Sequence, residues 1–456
     1  MKKILSISIS VIILIINAAF TLAQTVNIPD PNFKTYLLGN SLININSDTE
    51  IQVSEAAAFA GQINCPNLNI SDLTGIEAFT SLTDLRCNGN SLTSIDISNN
   101  LALTNFQCHY NLLTSLDVSN NIALTTLRCP YNQITTLDIS SNTALNILHC
   151  NNNQLTSLDI SNNLLLTGLD CGSNQLNALD VNINSALTFL ACGNNQIATL
   201  NLNNNTALSQ LYCNNNLLST LDVTNNNLLA HLFCSSNQLT TLDLTNNTVL
   251  SDLQCQVNQL TSLNVNNNTQ LTYLDCYYNL IGVLDVSNNL NLEYLRCALN
   301  LIGNLDVSNN LALTSLSCYD NQLISLNVKN QNNSAIAFFD ASNNPLLYCI
   351  EVDDAIFSTN NWSNIDSIAV FSENCLTGIQ NNDIQKSILI YPNPTIDILY
   401  FSAISNGIIS DFAGKILVEI KNSQYANLSN LASGVYIITL TDNTGQVIKR
   451  SKIVRE

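Results

Sequence analysis

The sequence predicts a repeat solenoid, β-rich, of short parallel strands joined by turns and followed by a small all-β sandwich. Three observations carry this. Cysteine recurs every 21 residues, from Cys87, Cys108, Cys129 and Cys150 through to Cys297 and Cys318. Asparagine stands three positions after each of these cysteines, and Leu or Ile stands five and eight positions after. From about Lys386 onward the period is gone and alternating apolar runs replace it. A fixed period of this size marks units that bury their apolar side only by stacking on neighbours.

The chain opens with "MKKILSISISVIILIINAAFTLAQ". Lys2 and Lys3, an apolar stretch and a small-residue exit at Ala23 read as an export signal over residues 1–23, with an uncleaved membrane anchor as the alternative. No cysteine follows the exit, so no lipid-modified N-terminus is indicated. Cleavage removes two lysines and no acid, and the formal balance moves from −19 to −21. Only 10% of residues are charged. So acidic a chain is a poor partner for nucleic acid, and beyond the first two dozen residues no run is apolar enough to span a bilayer.

The repeat itself is doubled. "LTTLRCPYN" and "ITTLDISSN" both follow apolar-x-x-apolar-x-apolar-x-x-Asn. Alternation across three residues is a short strand with its middle side chain inward. The closing Asn suits a turn, because it tolerates left-handed backbone. Each coil is therefore expected to hold two extended segments and two corners. Stacked corner amides are expected to bond to one another along the axis, which accounts for asparagine at about one residue in six. Twelve coils at one strand spacing each give an array on the order of 58 Å. Each cysteine then points inward as a small hydrophobe. Pairing between coils is conceivable at that spacing but arbitrary, since every coil carries the same thiol. A zinc site is disfavoured because a ladder spreads its ligands along a line.

With these residues in hand, the pattern L-x-x-L-x-C-x-x-N-x-L-x-x-L-D-[VIL]-x-x-N resembles bacterial leucine-rich repeats of the nested 21-residue class, over residues 66–340. The resemblance implies a right-handed solenoid with a variable strand face and a role in binding rather than catalysis. "IPDPNFKTYLL" and "NISDLTGIEAF" resemble the N-terminal entry of secreted repeat proteins, placing a cap at 24–65. "NPLLYCIEVDDAIFSTNNWSNIDSIAVFSENC" resembles their closing segment, placing a second cap at 341–380. Cys349 and Cys375 break the 21-residue rhythm, so they are the candidates for a disulfide in an oxidising compartment.

The tail, residues 386–456, holds seven of the chain's fourteen Lys and Arg. Its alternating runs read as strands of a small sandwich. Tyr391, Pro392, Asn393 and Pro394, followed by Gly434 and Tyr436 and a basic end, resemble the type A C-terminal sorting domain of the type IX secretion system. That implies contact with the secretion machinery, and a secreted protein or one on the outer-membrane surface of a Gram-negative bacterium.

Two outward positions divide the array. Nine through-array positions carry aspartate, among them Asp96, Asp117, Asp138, Asp159, Asp180 and Asp222, with Asn201, Asn264 and Asn327 substituting. A file of like charges at strand spacing repels itself unless screened or hydrogen-bonded. Capping of the next turn is one explanation; calcium bridged by Asp117, Asp138, Asp159 and Asp180 is the sharper alternative. Around each cysteine the residues vary instead: Arg86, His109, Arg128, His149, Phe189, Tyr212, His231, Phe233, Tyr273, Tyr277, Tyr294, Arg296 and Tyr319. Aromatic and Arg positions on a uniform scaffold suit recognition of a protein or glycan. The rival is a structural or matrix protein without a soluble ligand. No G-x-S-x-G, H-E-x-x-H or phosphate-cradling Gly loop is present, so neither an enzyme nor a cofactor is expected.

Overall fold

A computed structural model describes residues 24–375, 388–411, 414–442 and 447–456. The export-signal reading of 1–23 and the last residues of the closing segment, 376–380, lie outside the described residues.

Asp30 starts the fold. Its carboxylate caps the helix Pro31–Leu38 by accepting from the N–H groups of Asn32 and Phe33, and its other oxygen accepts from Ser71 N at 2.8 Å, 41 residues on. Burial pushes this carboxyl up, but the hydrogen bonds from Ser71, Phe33 and Asn32 outweigh it and hold it below the ordinary value. The helix Val53–Ala58 follows, and the buried Phe33, Leu37, Ile43 and Ile51 close the apolar end of the stack.

From Gln62–Asn64 to Phe338–Asp340 the chain lays down a fourteen-stranded parallel sheet, one three-residue strand per coil. Through the cysteine coils the register advances by the repeat length, as in Thr126 against Ile147 and Leu127 against Leu148. The middle residue of each strand, such as Leu127, Leu148 or Leu232, is fully buried, and its neighbours are largely half-exposed. The ladder cysteines are free and fully buried. Burial pushes the thiols of Cys129, Cys192 and Cys234 up to about 12.

Three expectations are corrected. First, the two halves of a coil do not both form strands throughout. The second run buries its Leu and Val, but ladder pairing there is confined to Asn304–Asp306, Ser325–Asn327, Cys349–Glu351 and Val370–Ser372. The apolar pattern demands only burial. Pairing also demands that consecutive coils approach to about 4.8 Å on that side.

Second, the corner asparagines bond mainly to backbone, not to one another. Asn132 Nδ2 donates to Cys129 O and to Cys108 O in the coil before, both at 3.1 Å, and its Oδ1 accepts from Leu113 N at 3.0 Å. A second column does less. Asn121 Nδ2 donates to Ile97 O and Asn100 O, while its buried Oδ1 finds no partner. A backbone carbonyl sits in every coil whatever the side chains, so it is the dependable acceptor.

Third, the left-handed residue is the one before the ladder asparagine. Tyr131, Val257 and Leu299 take φ of 53°, 57° and 53°. For a branched or bulky residue this costs on the order of 1–2 kcal/mol, tolerated where surrounding bonds fix the turn.

At the far end Asp354 caps the helix Ala355–Asn361 through Phe357 N, and Trp362 lies flat on Phe339 with ring centroids 4.3 Å apart. Cys349 and Cys375 form a disulfide there, Cα to Cα 5.8 Å. The tail is a five-stranded antiparallel sheet of Ile390–Tyr391, Ile398–Ser410, Ile416–Asn427, Gly434–Thr441 and Val447–Arg455 around its own core of Leu399, Phe401, Ile438, Leu440 and Ile453.

Candidate ligand-binding face

The residues flanking each buried strand leucine point outward, so all thirteen varied positions fall on or beside one sheet face. They form three groups. Toward the C-terminal end the rings of Tyr273 and Tyr294 stack at 4.2 Å and 1°, and the Arg296 guanidinium lies 3.9 Å over the Tyr277 ring. Arg296 also reaches Asp275, Nη1 to Oδ2 3.6 Å, and Tyr277 faces Tyr319 at 6.4 Å. Burial holds the Asp275 carboxyl above the ordinary value despite Arg296, and burial with the Tyr294 neighbour raises the Tyr273 hydroxyl. Stacked and clamped, these side chains have little rotamer freedom left to lose on binding.

In the middle, Phe189, Tyr212 and Phe233 run across three coils with centroids 5.6 and 4.7 Å apart. His231 stands on the strand with Phe233, paired in register with Asp252. Nearer the N-terminus, Arg128 stands opposite His149, with His109 in the coil before. Arg86 is spent on Asp84, with bonds of 3.1 and 2.9 Å. Asp275, Tyr110 and Tyr131 were missed in the sequence. The 21-residue register would have revealed the first, since Asp275 lies directly opposite Arg296.

The aspartate file lies on the second run. Oδ1 of Asp117, Asp138, Asp159 and Asp180 each accepts the N–H two residues on, at 2.9 Å. Asn201 and Asn264 make the same bond. Among the described residues no group of three His, Cys, Asp or Glu gathers as a metal site. The hydroxyl and the N–H of the Ser or Thr two residues on, the hydroxyl leading at Asp96, Asp117, Asp222, Asp243 and Asp285 and the N–H at Asp138 and Asp159, hold these carboxyls below the ordinary value of 3.8. A carboxyl lowered on folding contributes stability that is present above 3.8 and lost as pH falls through the folded value. Asp138→Asn with Asp159→Asn keeps the bond and removes the titration. The variant should therefore lose less melting temperature than wild type between about pH 5 and about pH 3. Parallel melting curves would contradict this.

In the tail, Asn393 ties the Tyr-Pro-Asn-Pro turn to the last strand: its Oδ1 accepts from Val454 N at 2.8 Å and its Nδ2 donates to Lys452 O at 3.0 Å. Tyr436 OH donates to Ala432 O at 2.6 Å. Residues 389–455 match the model of the secretion system C-terminal sorting domain. The array itself has the leucine-rich repeat fold. The functional domain of InlJ from Listeria monocytogenes, described as including a cysteine ladder, aligns at 27% identity and TM-score 0.64, over 95% of this chain and 100% of its own. An internalin of the same organism, InlF, aligns at 21% and 0.59, over 76% and 97%. A leucine-rich repeat protein of Leptospira interrogans aligns at 18% and 0.55, over 70% and 97%. A search of the curated proteins finds none that matches. The sorting tail marks a secreted or cell-surface leucine-rich repeat protein, and among the described residues no helix is long and apolar enough to cross a membrane.

Proposed function

We propose that this protein is exported through the type IX secretion system of a Gram-negative bacterium, with an N-terminal export signal, and works without catalysis as an adhesin-like binder of a protein or glycan. The observation that carries the reading is the cluster of Tyr273, Tyr277, Tyr294, Arg296 and Tyr319, half-exposed on the strand face and held by mutual stacking. Buried hot spots of this composition supply most of the energy in known interfaces, each worth about 2 kcal/mol or more.

A glycan and protein array screen of residues 24–380 identifies the partner. Replacing Tyr273, Tyr277 and Tyr294 together with Ala should then weaken binding by about two orders of magnitude or more. Thermal melting should change little, because none of the three belongs to the leucine core. Unchanged affinity would refute the placement. Self-association with no captured ligand would favour the matrix role instead.

A further inference from the structure

Within the solenoid, one arginine stands without an acid beside it. Arg86, Arg296 and Arg455 each reach a carboxylate. Arg128 makes no ion pair among the described residues, and its Nε is shielded from solvent with no hydrogen-bond partner. His109 Nδ1 is shielded and unpartnered in the same way. On the strand before, Gln107 stands opposite Arg128; on the strand after, His149 does. The other charged groups facing the trio are Asp84 and Arg86, bonded to each other, and Asp170, opposite His149, which accepts from Gly172 N at 3.1 Å. Asp170 lies two strands from Arg128, about 10 Å at strand spacing. Arg128 is half-exposed, so its outer donors are open to a ligand while its shielded Nε finds no acceptor, an arrangement that suits an oxyanion.

Beside the trio lies an aromatic shelf. Tyr110 and Tyr131 stack at 4.3 Å and 9° and are 54% and 45% exposed, and Tyr110 meets His109 at 5.8 Å. The coil before carries Gly89 at the equivalent position. The outward side chains of these coils include the neutral amides Asn105, Gln107, Asn146 and Asn151, beside Thr126 and Ile147.

We propose that Arg128, His109 and His149 form a subsite for one oxyanion, and that its occupant is the carboxylate of an acidic sugar whose ring lies against Tyr110 and Tyr131. The guanidinium fork matches a carboxylate, the amides match hydroxyl groups, and aromatic faces match the C–H face of a pyranose. The formal charge of −19 selects against a polyanion, so a single acid in an otherwise neutral saccharide fits best. The inference rests on the strand face being a recognition surface, but not on the Tyr273 cluster, which it leaves free to succeed or fail separately. Burial first, then the Arg128 charge, lowers both histidines below 6.5. They are neutral at neutral pH and add positive charge on acidification.

The chain has three histidines, and the third, His231, lies outside the trio as an internal control. Imidazole resonances of the full chain are followed during titration with glucuronate, with glucose, with inorganic sulfate and with an acidic dipeptide. Glucuronate should move His109 and His149, leave His231 still, and bind more tightly on acidification through the range in which the two imidazoles protonate. Glucose should move none. Arg128→Gln should weaken glucuronate binding about tenfold or more, and His149→Gln should weaken it as well. The proposal is overturned if the two signals stay fixed, if His231 moves equally, or if Arg128→Gln and His149→Gln both bind as wild type. Tighter binding of sulfate or of the dipeptide than of glucuronate overturns the saccharide assignment.

Discussion

Asn216→Ala destabilises the solenoid by about 1–3 kcal/mol, and Asn226→Ala by clearly less. Both side chains are buried at the corners of one coil, and composition alone would rank them equal. Their bonding differs. Asn216 Nδ2 donates to Cys192 O at 3.0 Å and to Cys213 O at 3.2 Å, and its Oδ1 accepts from Ile197 N at 2.9 Å. Truncation leaves Ile197 N–H unmet inside the array, at about 1–3 kcal/mol, and takes one of two amide donors from Cys192 O and from Cys213 O, which keep Asn195 Nδ2 and Asn237 Nδ2. Asn226 donates to Leu202 O and Asn205 O, but its own Oδ1 is buried without a partner. Removing it strands nothing, since Leu202 O keeps Asn205 N and Asn205 O keeps Leu208 N, and it also removes one unmet acceptor. Chemical unfolding of the two variants measures the difference. Equal losses, or a larger loss for Asn226→Ala, would show that the two columns do not differ as their bonding indicates. Because each coil touches only its neighbours, Asn216→Ala should also split unfolding into two steps.

The second large effect lies at the C-terminal end. Trp362→Ala removes the ring that lies 4.3 Å from Phe339 and 5.7 Å from Phe371, together with the bond from its Nε1 to Ile336 O. Deleting a buried aromatic of this size costs about 3–5 kcal/mol. Phe339 stands on the last strand of the fourteen, so the loss opens the apolar end of the stack to water. Hydrogen exchange should report it locally. Amides of Ser315–Ser317 and Phe338–Asp340 should lose protection while those of Thr126–Arg128 keep theirs. Uniform loss along the array would mean that the closing segment stabilises all coils together.

The strand ladder was legible because its period and its buried leucines are both written in the sequence, coil after coil. The unequal halves of a coil were not. "LTTLRC" and "ITTLDI" carry the same local pattern, and nothing local reports how far one run lies from its counterpart in the next coil. The asparagines were legible as a column, but their partners are backbone carbonyls, which leave no mark in composition. At the candidate site, outwardness of Arg128, Tyr273 and Arg296 followed from alternation about the buried leucine. Their partners depended on cross-coil register, which joins Arg296 to Asp275 and Tyr273 to Tyr294. Tyr110 and Tyr131 escaped notice because they occupy a turn position rather than a strand.

The sealed sulfurs have a consequence for the life of the molecule outside the cell that made it. A thiol whose ionisation is displaced to about 12, as at Cys129 and Cys234, offers almost no thiolate at neutral pH, so oxidants find nothing to attack in the native chain. An unravelled chain presents the same sulfurs all at once, at ordinary reactivity and at close intervals. Mispairing then removes it from the refolding pool. The interior thus acts as a ratchet, inert while the coils stay stacked and irreversible once they part, and the surviving population is enriched in molecules that have never come apart.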